Sequence, residues 1–104
     1  MAQYDVYPNP SRSAAQGIPF VVVMQSDLLA SLATRLVIPL ATSDFAGAVP
    51  EKLCPPITVQ GQRLRALAHF AAPLPTRQLN QAVDHVGLQS AALVAALDVV
   101  LSGV

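Results

Sequence analysis

The sequence has little of what builds covalent or metal-bound scaffolds: one cysteine, two histidines and no tryptophan. A single cysteine excludes an internal disulfide and a thiolate cage for a metal built from one chain. His69 and His85 lack the close spacing that two metal ligands on one helix would share. The glycines stand singly, which argues against a glycine-rich phosphate loop. We therefore expect no cofactor and no bound metal.

Charge is also scarce in this chain. Only 12% of the 104 residues are charged, against roughly 25% in an average soluble domain. Six basic and six acidic residues cancel, and the basic ones are scattered, which disfavours direct binding of nucleic acid through its phosphates. The N-terminus has no basic segment followed by an apolar run, so we predict no secretory signal and expect a cytoplasmic protein.

Apolar residues, in contrast, make up 53% of the chain. A chain of this length forms one core, so we predict a single domain spanning residues 1–104. With few charges to cover its surface, the folded monomer is expected to keep an apolar patch and to use it in an oligomer or on another protein. A compact monomer rich in alanine and proline is the alternative.

Five short apolar or alternating segments predict strands ahead of one helix, at residues 3–7, 18–25, 35–40, 57–60 and 62–67. The β-branched run within residues 18–25 predicts the central strand, buried on both faces. Strands that all precede a helix indicate an α+β domain with antiparallel pairing.

Turn and breaker residues divide these segments. Pro39 cannot donate to a ladder, so its strand should be bulged there or lie at an edge. Gly61 predicts a tight hairpin between its flanking strands. Residues 42–50 predict no more than a loop, and Pro73 with Pro75 should end the sheet.

Residues 88–101 predict a terminal helix that is apolar around most of its circumference. Its two stripes consist of Leu93, Leu97 and Leu101 and, beside them, Ala92, Ala96 and Val100. The run is shorter than the roughly 20 residues of a membrane span and carries Asp98, so we predict a buried helix. One sheet cannot cover so wide a face, which indicates a second subunit or a target on the other side; alternatively, alanine only dilutes the pattern.

Arg63, Arg65 and His69 are the residues with the clearest potential for catalysis. A ribonuclease could use arginine to stabilise charge on phosphorus and histidine to move a proton. No carboxylate partner lies nearby in sequence, so a solvated strand face is the favoured interpretation. Cys54 lies between Leu53 and two prolines without a basic neighbour, which favours packing over a nucleophilic role.

Two stretches resemble the CcdB family of toxins from toxin-antitoxin systems. Residues 25–29, Gln-Ser-Asp-Leu-Leu, resemble the family's Gln-Ser-Asp followed by two aliphatics. Residues 35–41, Arg-Leu-Val-Ile-Pro-Leu-Ala, are similar to its Arg-x-Val-Ile-Pro-Leu-Ala strand. The break at residues 53–56 and the apolar end of the chain also fall where the family has them, so the resemblance spans nearly the whole sequence.

The resemblance implies an SH3-like antiparallel β-barrel or sheet of about five strands with a C-terminal α-helix, an architecture shared by the CcdB and MazF families. It implies a homodimer in which the two helices lie near the two-fold axis. It also implies a DNA gyrase (topoisomerase) inhibitor that binds the gyrase A subunit, traps it on cleaved DNA without catalysis of its own, and serves plasmid maintenance. A partly disordered, CcdA-like antitoxin neutralises such toxins.

The resemblance carries over an expected gyrase-binding set: Leu28, Leu29, Asp98, Leu101, Ser102, Gly103 and Val104. Toxic members end in Trp-Gly-Ile, and their tryptophan stacks on an arginine of gyrase. Ser102 stands in the place of that tryptophan, so we expect reduced or altered affinity for gyrase. The expected antitoxin-docking segments are the polar loops at residues 8–17 and 42–50.

Two alternatives remain open beside this binding protein, which we expect not to be an enzyme. A MazF-like endoribonuclease toxin would use Arg63, Arg65 and His69, although residues 5–17 lack the Gly-Asp strand start and Gly-His-Glu type loop of MazF-like chains. A non-toxic CcdB homologue would retain antitoxin binding only.

Overall fold

The chain forms an antiparallel sheet that curls into a nearly closed barrel and ends in a helix; the computed structural model describes residues 1–103. The strands are β1 (Asp5–Pro8), β2 (Phe20–Val23), β3 (Thr34–Ala41), β4 (Pro56–Val59), β5 (Gln62–Ala66), β6 (Ala72–Pro75) and β7 (Asp84–His85). The helices are α1 (Ser43–Ala46) and α2 (Ser90–Ser102). The strand order is β4-β5-β3-β2-β1-β7, with β6 paired to β3. The predicted α+β architecture is confirmed, with seven strands in this part of the chain where about five were predicted.

The centre of the sheet is shared by β2, as predicted, and β3. Along one side β3 pairs with β2, and along the other it pairs first with β6 and then with β5. β2 lies between β3 and β1, and Val21, Val22 and Val23 are all buried, which confirms the prediction of a strand covered on both faces.

Pro39 does not place β3 at an edge, so the edge alternative of that prediction is wrong. Pro39 lies between Val37, the last residue paired with β6, and Leu40, the first paired with β5. Its carbonyl accepts the N–H of Leu67 at 2.9 Å on this same side of the strand. The missing N–H is tolerated because β3 changes partner at this position.

The sheet continues through the prolines that were expected to end it. Pro73 and Pro75 belong to β6 and pair with β3. The N–H of Thr76 donates to the carbonyl of Ala33 at 2.9 Å, so alternation also directs the N–H of Leu74 toward β3. The nitrogens of both prolines therefore face outward, where an edge strand needs no donor.

The hairpin predicted at Gly61 is confirmed. β4 and β5 are joined by Gln60 and Gly61, whose φ angles are +49° and +81°. Two consecutive positive φ values are the geometry of the tight turn that suits the right-handed twist of a hairpin.

The main core lies between the barrel and α2. It consists of Val6, Val22, Met24, Ile38, Leu40, Ile57, Val59, Leu64, Ala66, Ala68, Val86, Leu93 and Ala96. A second cluster covers the opposite face of the sheet and consists of Tyr7, Val21, Val23, Val37 and Leu79. Both faces of the central strands are therefore packed.

The helix α2 is longer than the barrel can cover. It begins at Ser90, after one 3-10 turn at Gly87–Gln89, close to the predicted start. Leu93 and Ala96 are fully buried, whereas Val100 is 43% exposed although it lies on the same side of the helix as Leu93. The apolar stripe thus runs past the end of the barrel. Among the described residues, no helix combines the length and apolar character needed to span a membrane.

Candidate functional site

The last turn of α2 gathers four of the expected gyrase-binding residues. Asp98 is exposed, and Leu101 is 83% exposed. The hydroxyl of Ser102 donates to the carbonyl of Asp98 at 2.6 Å, so it is turned back onto the helix. Gly103 ends the helix with a φ of +72°, and its N–H donates to a carbonyl of the preceding turn at 2.8 Å. Val104 lies outside the described residues.

Leu28 and Leu29 lie on a different element, the 3-10 turn Asp27–Leu29 between β2 and β3. Ser26 precedes this turn, and its hydroxyl accepts the N–H of Leu28 at 3.2 Å. Leu28 is 93% exposed, and Leu29 is also exposed. Within residues 1–103 no hydrogen bond joins this turn to the last turn of α2, so the expected set falls on two surface elements.

Two polar side chains that the sequence analysis did not assign to the site fix the loop that carries Leu28. The Gln25 amide nitrogen donates to the carbonyl of Thr34 at 3.1 Å, and its amide oxygen accepts the N–H of Leu36 at 3.1 Å. The Arg35 guanidinium is buried and donates to the carbonyls of Ala30, Leu32 and Thr34 at 2.6 to 2.9 Å.

Gln25 and Arg35 begin the two stretches that resemble the CcdB family. Both stretches contact the same loop, because the Gln25 amide nitrogen also donates to the carbonyl of Leu29 at 3.4 Å and Arg35 donates to the carbonyl of Ala30. A polar residue at the border of each apolar run was the available signal in the sequence. The partners of both residues are backbone groups, which a sequence pattern does not identify.

The two polar loops expected to receive the antitoxin lie against each other. The N–H of Thr42 donates to the carbonyl of Gly17 at 2.8 Å. A Cβ atom at Gly17 would lie 2.7 Å from the Cβ of Phe45, so only glycine allows this approach. Residues 42–50 are not entirely loop, because the Thr42 hydroxyl accepts the N–H of Phe45 and starts the single turn of α1.

A small cleft lies beside the first of these loops, on the face of the sheet that does not contact α2. Its volume is about 150 Å³. The lining side chains are Asn9, Ser11, Ser13, Ile18, Val21, Val37, Pro39, Phe70, Ala72 and Leu74. The cleft is therefore apolar, with three polar side chains along the loop.

The arginine and histidine residues considered for a ribonuclease are not arranged as a free catalytic group. Arg65 donates from Nε to the carbonyl of Cys54 at 2.6 Å, which fixes it to the backbone. Arg63 is exposed. His69 lies on a 3-10 turn after β5, with its Nδ1 3.8 Å from the sulfur of Cys54 and its ring packed on Phe70.

The Cys54 thiol is fully buried, which confirms the packing role favoured from the sequence. Burial raises the pKa of this thiol, and the nearby Arg65 charge only partly opposes the rise. The thiol is therefore kept protonated and poorly nucleophilic. In the described part of the chain, no group of three or more His, Cys, Asp or Glu side chains is placed to hold a metal ion.

Comparison with known proteins supplies the family. The family model described as CcdB protein matches residues 3–103, nearly the whole chain. A search among curated proteins found no match. The match covers the barrel, the Leu28 turn and the helix together. The chain therefore belongs to the CcdB family and is a toxin of the CcdB type from a toxin-antitoxin system.

Proposed function

We propose that this protein is a homodimeric binding protein that targets the A subunit of DNA gyrase in the cytoplasm and is neutralised by a cognate, CcdA-like antitoxin. The observation that supports this most is the display of apolar side chains on ordered turns. Leu28 and Leu101 are 93% and 83% exposed, each on a turn closed by hydrogen bonds. Apolar side chains held outward in this way favour contact with another protein.

The proposed action is binding and not catalysis. Arg65, one of the two arginines that such a ribonuclease would use, is bound to a backbone carbonyl, and the thiol of Cys54 beside His69 is buried. These contacts count against the MazF-like alternative. If incubation with RNA gave cleavage that Arg65→Ala abolished without unfolding the protein, the ribonuclease would replace the binding protein as the proposal.

Ser102 sets the expected strength of gyrase binding. Its hydroxyl donates to the carbonyl of Asp98, and it offers no aromatic face to a partner. Loss of a central aromatic anchor typically costs about 2 kcal/mol or more, roughly thirtyfold in affinity. We therefore propose weak gyrase poisoning by the natural chain, and a non-toxic homologue that retains antitoxin binding is the second candidate.

The test is accumulation of cleaved DNA by gyrase in the presence of the purified protein. We expect little cleaved DNA with the natural chain and more with Ser102→Trp. Ser43→Trp places the same ring on the exposed first turn of α1 and should behave like the natural chain. Potent poisoning by the natural chain, or equal enhancement by both variants, would contradict the proposal.

The Leu28 turn is tested in the Ser102→Trp background, where a loss can be measured. Leu28→Glu should reduce the cleaved DNA, because a charge would replace an apolar contact. Leu88→Glu is the matched control, since Leu88 is also fully exposed but lies before α2. The second candidate is favoured if Ser102→Trp stays inactive while the neighbouring antitoxin binds tightly.

A further inference from the structure

The barrel closes where its two terminal strands, β4 and β7, meet. β4 pairs with β5 and β7 pairs with β1, and no backbone ladder joins β4 to β7 in the described residues. The gap is bridged by side chains that bind backbone groups of the opposite segment. We call the contact between residues 56–60 and 83–89 the seam.

In the seam, the side-chain amide of Gln89 binds β4 as the backbone of a neighbouring strand would. Its amide oxygen accepts the N–H of Thr58 at 2.9 Å, and its amide nitrogen donates to the carbonyl of Thr58 at 3.0 Å. Ala66 donates its N–H to Pro55, so alternation along β4 turns both backbone groups of Thr58 away from β5. The Gln89 amide therefore satisfies both outward backbone groups of Thr58.

Asp84 and Gln60 close the next step of the seam. Asp84 Oδ2 accepts the N–H of Gln60 at 2.8 Å, and the Gln60 side chain donates to the carbonyl of Val83 at 2.8 Å. Pro56, the remaining residue of β4 that faces outward, has no N–H to satisfy. Every outward donor of residues 56–60 is thus accounted for by the segment that precedes α2.

Gln89 also occupies the N-cap position of α2, yet it makes no capping bond there. Its side chain is engaged on Thr58, so the first turn of α2 gives up a side-chain cap while the helix start is attached to β4. Leu93 and Ala96 then fix the helix against the core. Attachment at the start and burial in the middle together set where the last turn projects.

We propose that Gln89 is a positioning residue: with Asp84 it fastens the start of α2 to the edge of β4, and the seam they form opens and closes as one unit. The seam is argued from the contacts alone, whereas its effect on partner binding rests on the function proposed above. Gln89→Met keeps the length of the side chain and removes both hydrogen bonds to Thr58.

Amide hydrogen exchange under native conditions tests the seam. In Gln89→Met we expect exchange at Thr58 and Gln60 to accelerate together by roughly tenfold. Val83, whose N–H is bonded to the carbonyl of Val6 on β1, and the central strands should stay unchanged. Gln60 keeps its own acceptor, Asp84, in this variant, so its acceleration would report a shared opening. Gln62→Met, on the exposed end of β5, is the matched control and should leave exchange unchanged.

Acceleration limited to Thr58, or no acceleration, would overturn the shared opening. If Gln89→Met does not fold, Asp84→Asn tests the same unit from the other side, because it should accelerate Thr58, whose bonds to Gln89 it leaves in place. The binding arm compares gyrase titrations in the Ser102→Trp background, where Gln89→Met should weaken binding about fivefold and Gln62→Met should not. If Ser102→Trp itself does not bind gyrase, the proposed function fails, and the seam is then tested by amide hydrogen exchange alone.

Discussion

The carboxylate of Asp84, at the edge of the sheet, accepts two backbone hydrogen bonds. One oxygen accepts the N–H of Gln60, and the other accepts the N–H of His85, the next residue in the chain; both distances are 2.8 Å. These two bonds, with a smaller contribution from the nearby His85, hold the pKa of Asp84 below its ordinary value of 3.8. A carboxyl with a lowered pKa in the folded state stabilises the fold while it is ionised.

Replacement of Asp84 by asparagine should lower the free energy of unfolding by about 1 kcal/mol at pH 7, because an amide cannot accept both hydrogen bonds. The stabilisation by the carboxylate is fully present above pH 3.8 and is lost as the pH falls through the lower folded-state pKa. The difference between the two proteins should therefore shrink in acid. Urea denaturation over a pH series measures it.

Asp44→Asn, at an exposed position in α1, is the control for this series. A difference for Asp84→Asn that stays constant from pH 7 to about pH 3 would show that ionisation of Asp84 does not support the fold.

At the scale of single residues, the sequence predicted which side chains are buried better than it predicted which groups they bind. The burial of Cys54 followed from its apolar and proline neighbours. The roles of Arg35 and Gln89 did not, because their partners are backbone groups, just before Arg35 in the chain and 31 residues away from Gln89. The Gln89 contact depends on how the barrel closes, and no local pattern records that closure.

At the scale of elements, the contact between the first loop and α1 depends on Gly17. Its φ is +119°, which L side chains rarely adopt, and the Cβ of Phe45 fills the space beside it. Any side chain here would meet both a backbone strain and a contact of 2.7 Å.

Gly17→Ala is expected to destabilise the protein by about 2 to 4 kcal/mol, because strain and overpacking add. Gly61→Ala should cost only about 1 kcal/mol, since Gly61 also has a positive φ but open space around it. Chemical denaturation of both variants gives the comparison. Equal losses would show that Phe45 yields without cost and that the two loops are not held together through Gly17.

Periodicity predicted the elements well where hydrophobic contacts decide them, as in β2, the hairpin at Gly61 and α2. It failed for β6, because proline was taken to end the sheet. Proline excludes a strand only where its nitrogen faces a partner, and that direction is known only once the neighbouring strand is placed. The interior position of β3, which shares the centre of the sheet with β2, was missed for the same reason, since Pro39 falls at a change of partner.

At the scale of the whole molecule, the helix that outruns its barrel leaves an apolar stripe uncovered. Leu93 and Val100 lie on one side of α2, the first fully buried and the second 43% exposed. A second copy placed with its helix end against the first would cover this stripe, as the proposed homodimer requires.

Val100→Glu should shift the protein toward monomer at micromolar concentration, because a charge would be buried between the two copies. Ala91→Glu is the matched control, since it is exposed and lies on the opposite side of α2. Sedimentation velocity measures the change. A natural chain that sediments as a monomer, or a dimer that Val100→Glu leaves intact, would contradict the proposed homodimer.

The arrangement of the sheet borders bears on solubility. The outer border of β6 presents two proline nitrogens, and on β4 the outward N–H groups of Thr58 and Gln60 are already engaged. An incoming strand from a neighbouring molecule would find few free donors at either border, so growth into cross-β fibrils is disfavoured while the chain is folded. In this protein, which has few charges, the lack of free backbone donors at these borders limits fibril growth, a role that lysines on edge strands have in other proteins.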